Sequence, residues 1–599
     1  LQHLLRFIVT LCTLQSLAQA QENAMRIEPV IVTANRLTPP LHQVLGDVSV
    51  IEREDIERAG AGALADVLER LPSIQFTRSG GPGTHTNVFV RGADARFTAV
   101  FIDGVRVDSQ AFQGGANWQN LPLSQIERIE ILRGPAASVE GSDAVAGVVR
   151  IFTRQGQQGF NPFVSTGVGS YQTRQLDAGF SGRNANWDYS LSLGRQTSQG
   201  FSARTSAAFN PDSDGYAQNT LSGKLGLSLA SNQRLELTLL QSQLNAQYDS
   251  DDQPQSDHHA LYALQTLGLN WQSDWNAAHS SQISLSTSGD SDETQPHDNA
   301  DFSVVGRRIN LRMQHQYQVG AHQFTGALEQ RQDNFEMVDV LRTSTTQTSA
   351  AMGYGFKHTH HSLQANVRLD RTSQLGSKNT GQLAYGYALN PQWRLNGGMA
   401  SSFRAPSLYN RFSPREGNPD LRPETALNQE LGLRYQQGSS TLGLMVYKTQ
   451  LNDLFQLVNN RFESTAKAEL KGASLSGQTQ WHKTQLRFSW DTQTPRDLQT
   501  NTTLPRRARH FGNLALQTQT QGWTWGAQLH GVGKTFYNRA TKTLPGYGLL
   551  HVFANKQLHK DWHFQARIDN LAARHYIVVP GYGTPARSAF LGLKWSPSS

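Results

Sequence analysis

Residues 187–193 read WDYSLSL, and this stretch decides the fold. Trp187, Tyr189, Leu191 and Leu193 fall on one side of an extended strand, with Asp188, Ser190 and Ser192 on the other, because successive strand side chains point to opposite faces. The same rhythm runs through the back three quarters of the chain. Leu225, Leu227 and Leu229 repeat it, and Leu235, Leu237 and Leu239 take it up after a short polar turn at Ser231 to Arg234. Leu363, Ala365, Val367 and Leu369 alternate with Gln364, Asn366 and Arg368. Trp523 and Trp525 open a further strand, and Phe564, Ala566 and Ile568 lie in a late one. Period two with polar turns between segments predicts an antiparallel meander.

Alternation alone also suits a water-soluble sandwich, so its extent is what discriminates. Roughly 450 residues alternate without intervening helices, more than an ordinary sandwich holds. Apolar residues make up only 37% of the chain and the mean hydropathy is -0.50. Past the N-terminal segment no apolar run is long enough for a helical span. A membrane barrel tolerates this, because its strands need apolar side chains only toward lipid. Closure also leaves no unpaired strand edge in the bilayer. At about 20 residues per strand and connection, the expectation is a transmembrane β-barrel of about 22 antiparallel strands, a size whose lumen is plugged.

The chain opens LQHLLRFIVTLCTLQSLAQA. Arg6 supplies a positive start, Phe7 to Leu17 an apolar core, and Ala18-Gln19-Ala20 a small-x-small cleavage site. This predicts a secretory signal peptide over residues 1–20. Cys12 follows the bulky Leu11, where lipoprotein processing sites carry a small residue. It is the only cysteine. The mature chain therefore has no disulfide scaffold, thiolate metal site or cysteine nucleophile. Loss of Arg6 lowers the formal charge from +7 to +6. A basic balance can signal nucleic acid, but secretion and the lack of a Lys/Arg run argue against that partner.

Residues up to about 150 break the meander. Asp55 to Leu71 reads as one helix, with Ile56, Ala59, Ala63, Val67 and Leu71 near one face, ended by Pro72. Val88 to Val90, Thr98 to Ile102, Ile126 to Leu132 and Val145 to Thr153 read as short strands. Arg91-Gly92 and Asp103-Gly104 mark turns. Two loops are rich in glycine, SGGPGT at 79–84 and DSQAFQGGA at 108–116. Neither has the lysine or glycine spacing of a nucleotide-binding loop. They read equally as plain turns or as polar tips that hold a ligand. The front of the chain is thus a compact mixed α/β domain.

Several longer stretches carry a resemblance. These are EPVIVTANR at 28–36, GALADVLERLPSIQF at 62–76, NVFVRGADARFTAVFIDGVRV at 87–107 and IERIEILRGPAASVEGSDAVAGVVRIFT at 126–153. Later come FRAPSLYNRF at 403–412, GNPDLRPETALNQELGLRY at 417–435 and RIDNLAARHY at 567–576. Together the chain resembles the TonB-dependent outer-membrane receptors, and most closely their vitamin B12 (cobalamin) branch. The resemblance implies a coupling-box segment and linker at 21–40, a plug domain at 41–150 and the barrel at 151–599. It implies a place in the bacterial outer membrane, among its lipids and lipopolysaccharide. It also implies a TonB-type inner-membrane partner that pairs with Pro29, Val30, Ile31, Val32, Thr33 and Ala34 as an added strand. The β-branched residues suit such pairing, and Pro29, which cannot donate a hydrogen bond, marks its start. Plug arginines of this family pair with acids, so Arg91 and Arg133 are structural or gating groups, with Glu127, Glu130 and Glu424 as candidate partners.

The cargo implied is cobalamin or another corrinoid; a ferric siderophore or haem is the alternative. The plug tips supply the candidate contacts Gly81, Thr84, His85, Gln110, Phe112, Gln113 and Ala116. Phe112 suits stacking on a planar ring, and the glutamines suit amide side chains. In the cobalamin branch acidic early loops bind calcium. Here NPDSDG holds Asp212 and Asp214, and YDSDDQ holds Asp249, Asp251 and Asp252. Clustered carboxylates are hard ligands suited to calcium, though an ordinary solvated loop reads the same way. Among the 19 histidines, His258 and His259 fall on opposite faces, whereas His358 and His360 share one if the strand continues, with His361 opposite. No HExxH or nucleophile elbow appears, so the expectation is a transporter without catalytic cofactor rather than an enzyme. Trp595 is expected to end the last strand, ahead of the tail Ser596-Pro597-Ser598-Ser599.

Overall fold

The computed structural model describes residues 45–597, apart from 60–61, 113, 135, 207, 252, 296–301 and 538–541. The signal peptide and the coupling segment Pro29–Ala34 lie outside these residues, as do Gln113 and Asp252. Among the described residues twenty-two antiparallel strands close one barrel. Its first strand, Gly159–Gly169, pairs with its last, Ser588–Trp595, from Phe590 against Gly169 to Trp595 against Val164. Trp595 thus ends the wall. No described helix is long and apolar enough to cross a membrane.

The alternation read in WDYSLSL becomes the two sides of this wall. Trp187, Leu191 and Leu193 are exposed on the outside, while Asp188, Ser190 and Ser192 are buried toward the lumen. Leu225, Leu227, Leu237, Leu239, Val367 and Leu369 continue the outer apolar band. The hairpin near residue 231 is tighter than expected, since strands end at Ala230 and resume at Gln233. Arg234 therefore joins the wall, bonding both oxygens of Asp188 at 2.7 and 3.1 Å. Short turns like this one gather at one end of the barrel and longer connections at the other. Outer-membrane barrels keep the short turns in the periplasm.

The plug fills the lumen. Its strands are β1 (Asp47–Glu52), β2 (Ile74–Arg78), β3 (Thr86–Val90), β4 (Thr98–Ile102), β5 (Val105–Arg106), β6 (Ile126–Arg133) and β7 (Gly147–Thr153). Five form a mixed sheet in the order β1-β6-β7-β4-β5, and β2 and β3 form a hairpin. Only the β4–β7 pair of that sheet is parallel. The β4–β5 turn uses Asp103 and Gly104 with φ of 47° and 84°, the primed geometry that matches strand twist. Leu64, Leu68, Ile74, Val100, Trp118, Ile129 and Ile151 pack one core that reaches the wall at Leu240 and Leu264. Each such aliphatic side chain, once buried, contributes about 1.5–3 kcal/mol.

Two expectations are corrected. The single helix over Asp55–Leu71 is two helices, Arg53–Ala59 and Leu64–Leu68. Gly60 and Gly62 fall between them, and glycine disfavours a helix interior by about 1 kcal/mol each. Ala63 is extended (φ -147°, ψ 161°) ahead of the second helix. His358 and His360 do not share a strand face. One strand ends at His358 and the next begins at His361, and these two are direct cross-strand partners.

Candidate functional site

Both glycine-rich plug loops lie at the long-connection end of the barrel, and the structure separates their roles. Loop 79–85 is pressed onto the wall. Ser79 donates to the His85 carbonyl at 3.2 Å, and the Thr84 hydroxyl donates to the Gly81 carbonyl at 2.8 Å. Gly83 has φ +98°, and a Cβ there would stand 3.0 Å from Tyr216 Cβ. Gly81 and Thr84 are consequently buried, and His85 alone of the predicted trio is exposed. The plug and wall around it still desolvate the exposed His85 imidazole and keep it below the ordinary histidine range, helped by the charge of Arg506.

Loop 108–116 carries Phe112 at its tip, 41% exposed with φ 46°. A bulky side chain in that left-handed region is strained. The loop is held by the barrel-wall helix Leu408–Phe412. Ser407 donates to the Phe112 carbonyl at 2.6 Å, and Leu408 N–H donates to the Gln110 side-chain carbonyl at 3.2 Å. The Phe112 ring meets Tyr409 at 5.3 Å and Phe302 at 5.9 Å between centroids. Tyr409 is buried and Phe302 half-buried in the cluster beside it, so of the three rings Phe112 is the one exposed. Sequence alone does not pair Phe112 with Tyr409 or Phe302, although Tyr409 stands inside FRAPSLYNRF. Gln110 spends its carbonyl on the wall, and half-buried Ala116 packs on the plug core.

Asp212, Asp214 and Asp249 converge, each offering a carboxylate oxygen within 4.8 Å of the others. The hairpin between them explains this, since Asp214 begins one strand and Asp249 follows the strand Gln233–Tyr248 paired with it. Asp214 accepts from Ala203 N–H at 2.6 Å. Asp212 Oδ1 and Asp249 Oδ2 are buried without any hydrogen-bond partner. Burial raises both of these acids above the usual carboxylate range, joined by the charge of Asp257 on Asp212 and of Asp212 on Asp249. Asp251 is corrected as a member, since its side chain is 81% exposed and pairs with Arg204.

Where plug meets wall, charges interlock. Arg91 bonds Glu430 of the wall at 2.7 Å and Asp47 of β1 at 3.0 Å. Arg133 bonds the other Asp47 oxygen at 2.7 Å and Ser49 at 2.5 Å. Arg434 of the wall donates to the Gly46 carbonyl at 3.0 Å. Gly134 makes the approach possible, because a Cβ there would lie 2.8 Å from Glu430 Oε2. Burial would raise Asp47, but Arg133 and Arg91 outweigh it and hold the carboxyl below its usual range. The expected acids serve elsewhere. Glu424 joins Arg96 at 2.9 Å and Arg404 at 3.1 Å, Glu130 pairs with Arg128, and Glu127 is only half-buried. Buried ion pairs are weak stabilisers that cost much when one partner is removed, which suits a plug that must stay seated and yet shift.

The family model described as TonB dependent receptor-like, beta-barrel matches residues 159–571, and that of the TonB-dependent Receptor Plug Domain matches 40–148. A vitamin B12 transporter, BtuB, of Vibrio cholerae serotype O1 is 27% identical over 592 residues, covering 94% of this chain and 95% of that protein. One from Photobacterium profundum is 25% identical over 601 residues, covering 97% of each. Among solved structures, the siderophore receptor PirA of Acinetobacter baumannii superposes with a TM-score of 0.81 at 18% identity, covering 92% of this chain and 98% of that one. A ferric enterobactin receptor mutant of Pseudomonas aeruginosa, in complex with enterobactin, gives 0.79 at 18% identity, covering 92% and 99%.

Proposed function

Because the chain belongs to the TonB-dependent receptors, a family of outer-membrane receptors and transporters, we propose that it imports cobalamin or a related corrinoid across the bacterial outer membrane, energised by a TonB-type partner. The carboxylate trio Asp212, Asp214 and Asp249 is the observation that carries this reading. Its orphaned oxygens suit a hard, oxygen-seeking cation such as calcium. It lies in the early extracellular connections, where the cobalamin branch is expected to bind calcium. Asp214 holds Ala203, and Ala203 packs on Gly80 of the plug loop. Asp212, Asp214 and Asp249 would hold such a cation, which would tie the vestibule wall to the plug tip. The relatives matched along nearly the whole chain carry the name vitamin B12 transporter.

In this mechanism the corrinoid lies on the exposed Phe112 ring, braced by Tyr409 and Phe302, because an aromatic face stacks on flat apolar surface. The coupling segment Pro29–Ala34 then pairs with the partner by strand addition, which reads extended backbone. The test of cargo is equilibrium binding of cyanocobalamin to the purified protein with and without calcium. Submicromolar binding that weakens at least about tenfold on chelation, and in Asp249→Asn, is expected. No binding below micromolar overturns the cargo; the exposed His85 then favours haem, and a ferric siderophore is the remaining alternative. The test of coupling is Val32→Pro, which removes a backbone donor. Energised uptake is expected to vanish while binding persists, and loss of both removes the coupling role from this segment.

A further inference from the structure

The lipid-facing surface has an uneven interfacial row at the short-turn end. Around much of that rim the row carries tryptophan, as at Trp271, Trp275, Trp393, Trp481 and Trp523. Between Trp275 and Trp393 the sequence contains no tryptophan at all. Histidines take its place. His279 is the cross-strand partner of Tyr317, Ser281 of His315, His322 of Phe356, His358 of His361, and His361 also of Tyr387. Cross-strand partners share a face, and this face continues into exposed Leu285, Leu311, Met313, Leu328, Met352 and Val367. Among the described residues five histidines on five successive strands thus point outward at the edge of the apolar band.

Each ring is seated on an aromatic neighbour. His279 stacks on Tyr317 at 4.5 Å, His322 lies 5.2 Å from Phe356, and His361 lies 5.1 Å from Tyr387. His315 stands 3.3 Å from the His279 ring nitrogen, and His322 and His361 meet tyrosine hydroxyls at 2.9 and 2.6 Å. Asp274, Lys357 and Arg394, the charged residues nearest the row, alternate out of it toward the lumen, and the titratable His360, in the turn before His361, lies 6.2 Å from the Tyr387 ring. The described residues place no carboxylate in the row to neutralise it.

We infer that this arc of His279, His315, His322, His358 and His361 is a pH-dependent binding surface for anionic phospholipid headgroups of the periplasmic leaflet. Tryptophan anchors a barrel at an interface at any pH. Histidine changes charge between pH 5 and 8, so the arc is a mild aromatic anchor when neutral and a cationic one in acid. Basic groups beside an anionic membrane surface are attracted to it, and salt screens that attraction. The lipid phosphate matches the arc in charge and in depth, since it sits just beyond the hydrocarbon.

The test uses the full-length protein in nanodiscs of equimolar phosphatidylglycerol and phosphatidylcholine, with co-purified lipid counted by mass spectrometry. Enrichment of phosphatidylglycerol by about fivefold is expected near pH 5.5, with little near pH 7.5. The combined His→Gln variant at all five positions is expected to lose it, with heat-modifiable migration as the check that the barrel folded. H315R with H322R keeps charge at both pH values and is expected to enrich at both. Enrichment that ignores pH, or that survives in the folded five-site variant, overturns the assignment. None of these readouts needs a transported substrate.

Discussion

Asp47 is the residue on which the plug's seating turns. Its two oxygens are divided between Arg91 and Arg133, and Arg91 is divided between Asp47 and Glu430 of the wall. Removing one member strands a buried charge, at about 3–5 kcal/mol. Glu430→Gln is therefore expected to loosen β1 without unfolding the barrel. Hydrogen exchange over residues 47–52 should accelerate while barrel melting stays unchanged, and unaltered exchange would count against the node. The pH dependence follows from the lowered Asp47. A carboxyl depressed in the folded state lends its stability above its unfolded value and loses it as pH falls through the folded one. With the intrinsic pH dependence of amide exchange divided out, the share of β1 protection that Asp47 supplies is thus expected to hold from neutrality down to about pH 4 and to be lost only below it. Arg91 and Arg133 were legible from the sequence as plug charges. Their partners were not, because Glu430 is 339 residues from Arg91 and nothing local in either segment marks the pairing.

At the scale of the element, β1 is the first described strand after the proposed coupling segment, and it carries Asp47 of the charged node. It is the edge strand of the plug sheet, held to β6 from Asp47 against Arg133 to Glu52 against Arg128. A pull on the preceding chain loads this strand first. Val48 and Leu132 are cross-strand partners with buried side chains, and such pairs lie within disulfide reach. The double variant Val48→Cys, Leu132→Cys is expected to bind substrate normally but to stop energised uptake until a reductant is added. Cys12, within the expected signal peptide, is the only other thiol of the sequence. Uptake that persists with the bond formed would mean β1 need not separate. Element types were readable wherever period two was long. The helix break and the turn at Thr359–His360 were not, because one or two residues decide each.

Across the whole molecule, plug and wall share one polar interior. Lys224 of the wall reaches Asp103 at 2.7 Å, Ser73 reaches Asp491 at 2.8 Å, and Lys594 reaches Glu57 at 2.8 Å. Such a lining is wet and charged once emptied. Deleting residues 45–153 is expected to leave an assembled barrel that conducts steadily in planar bilayers, where the intact chain is closed. An insulating deletion variant would show that the wall cannot hold its shape alone.

The sequence by itself determined the barrel, its approximate strand number and the separate front domain. Alternation over hundreds of residues has few physical solutions, and closure in lipid selects among them. It also marked Phe112, His85 and the acidic loops as places of interest. Only the tertiary structure decided which of them come together. It buried Gly81 and Thr84, turned Asp251 away to Arg204, and joined Asp212, Asp214 and Asp249 across a hairpin. It also set Tyr409 and Phe302 beside Phe112. Those outcomes depend on register and on contacts between distant strands, and the periodicity of a single segment carries neither.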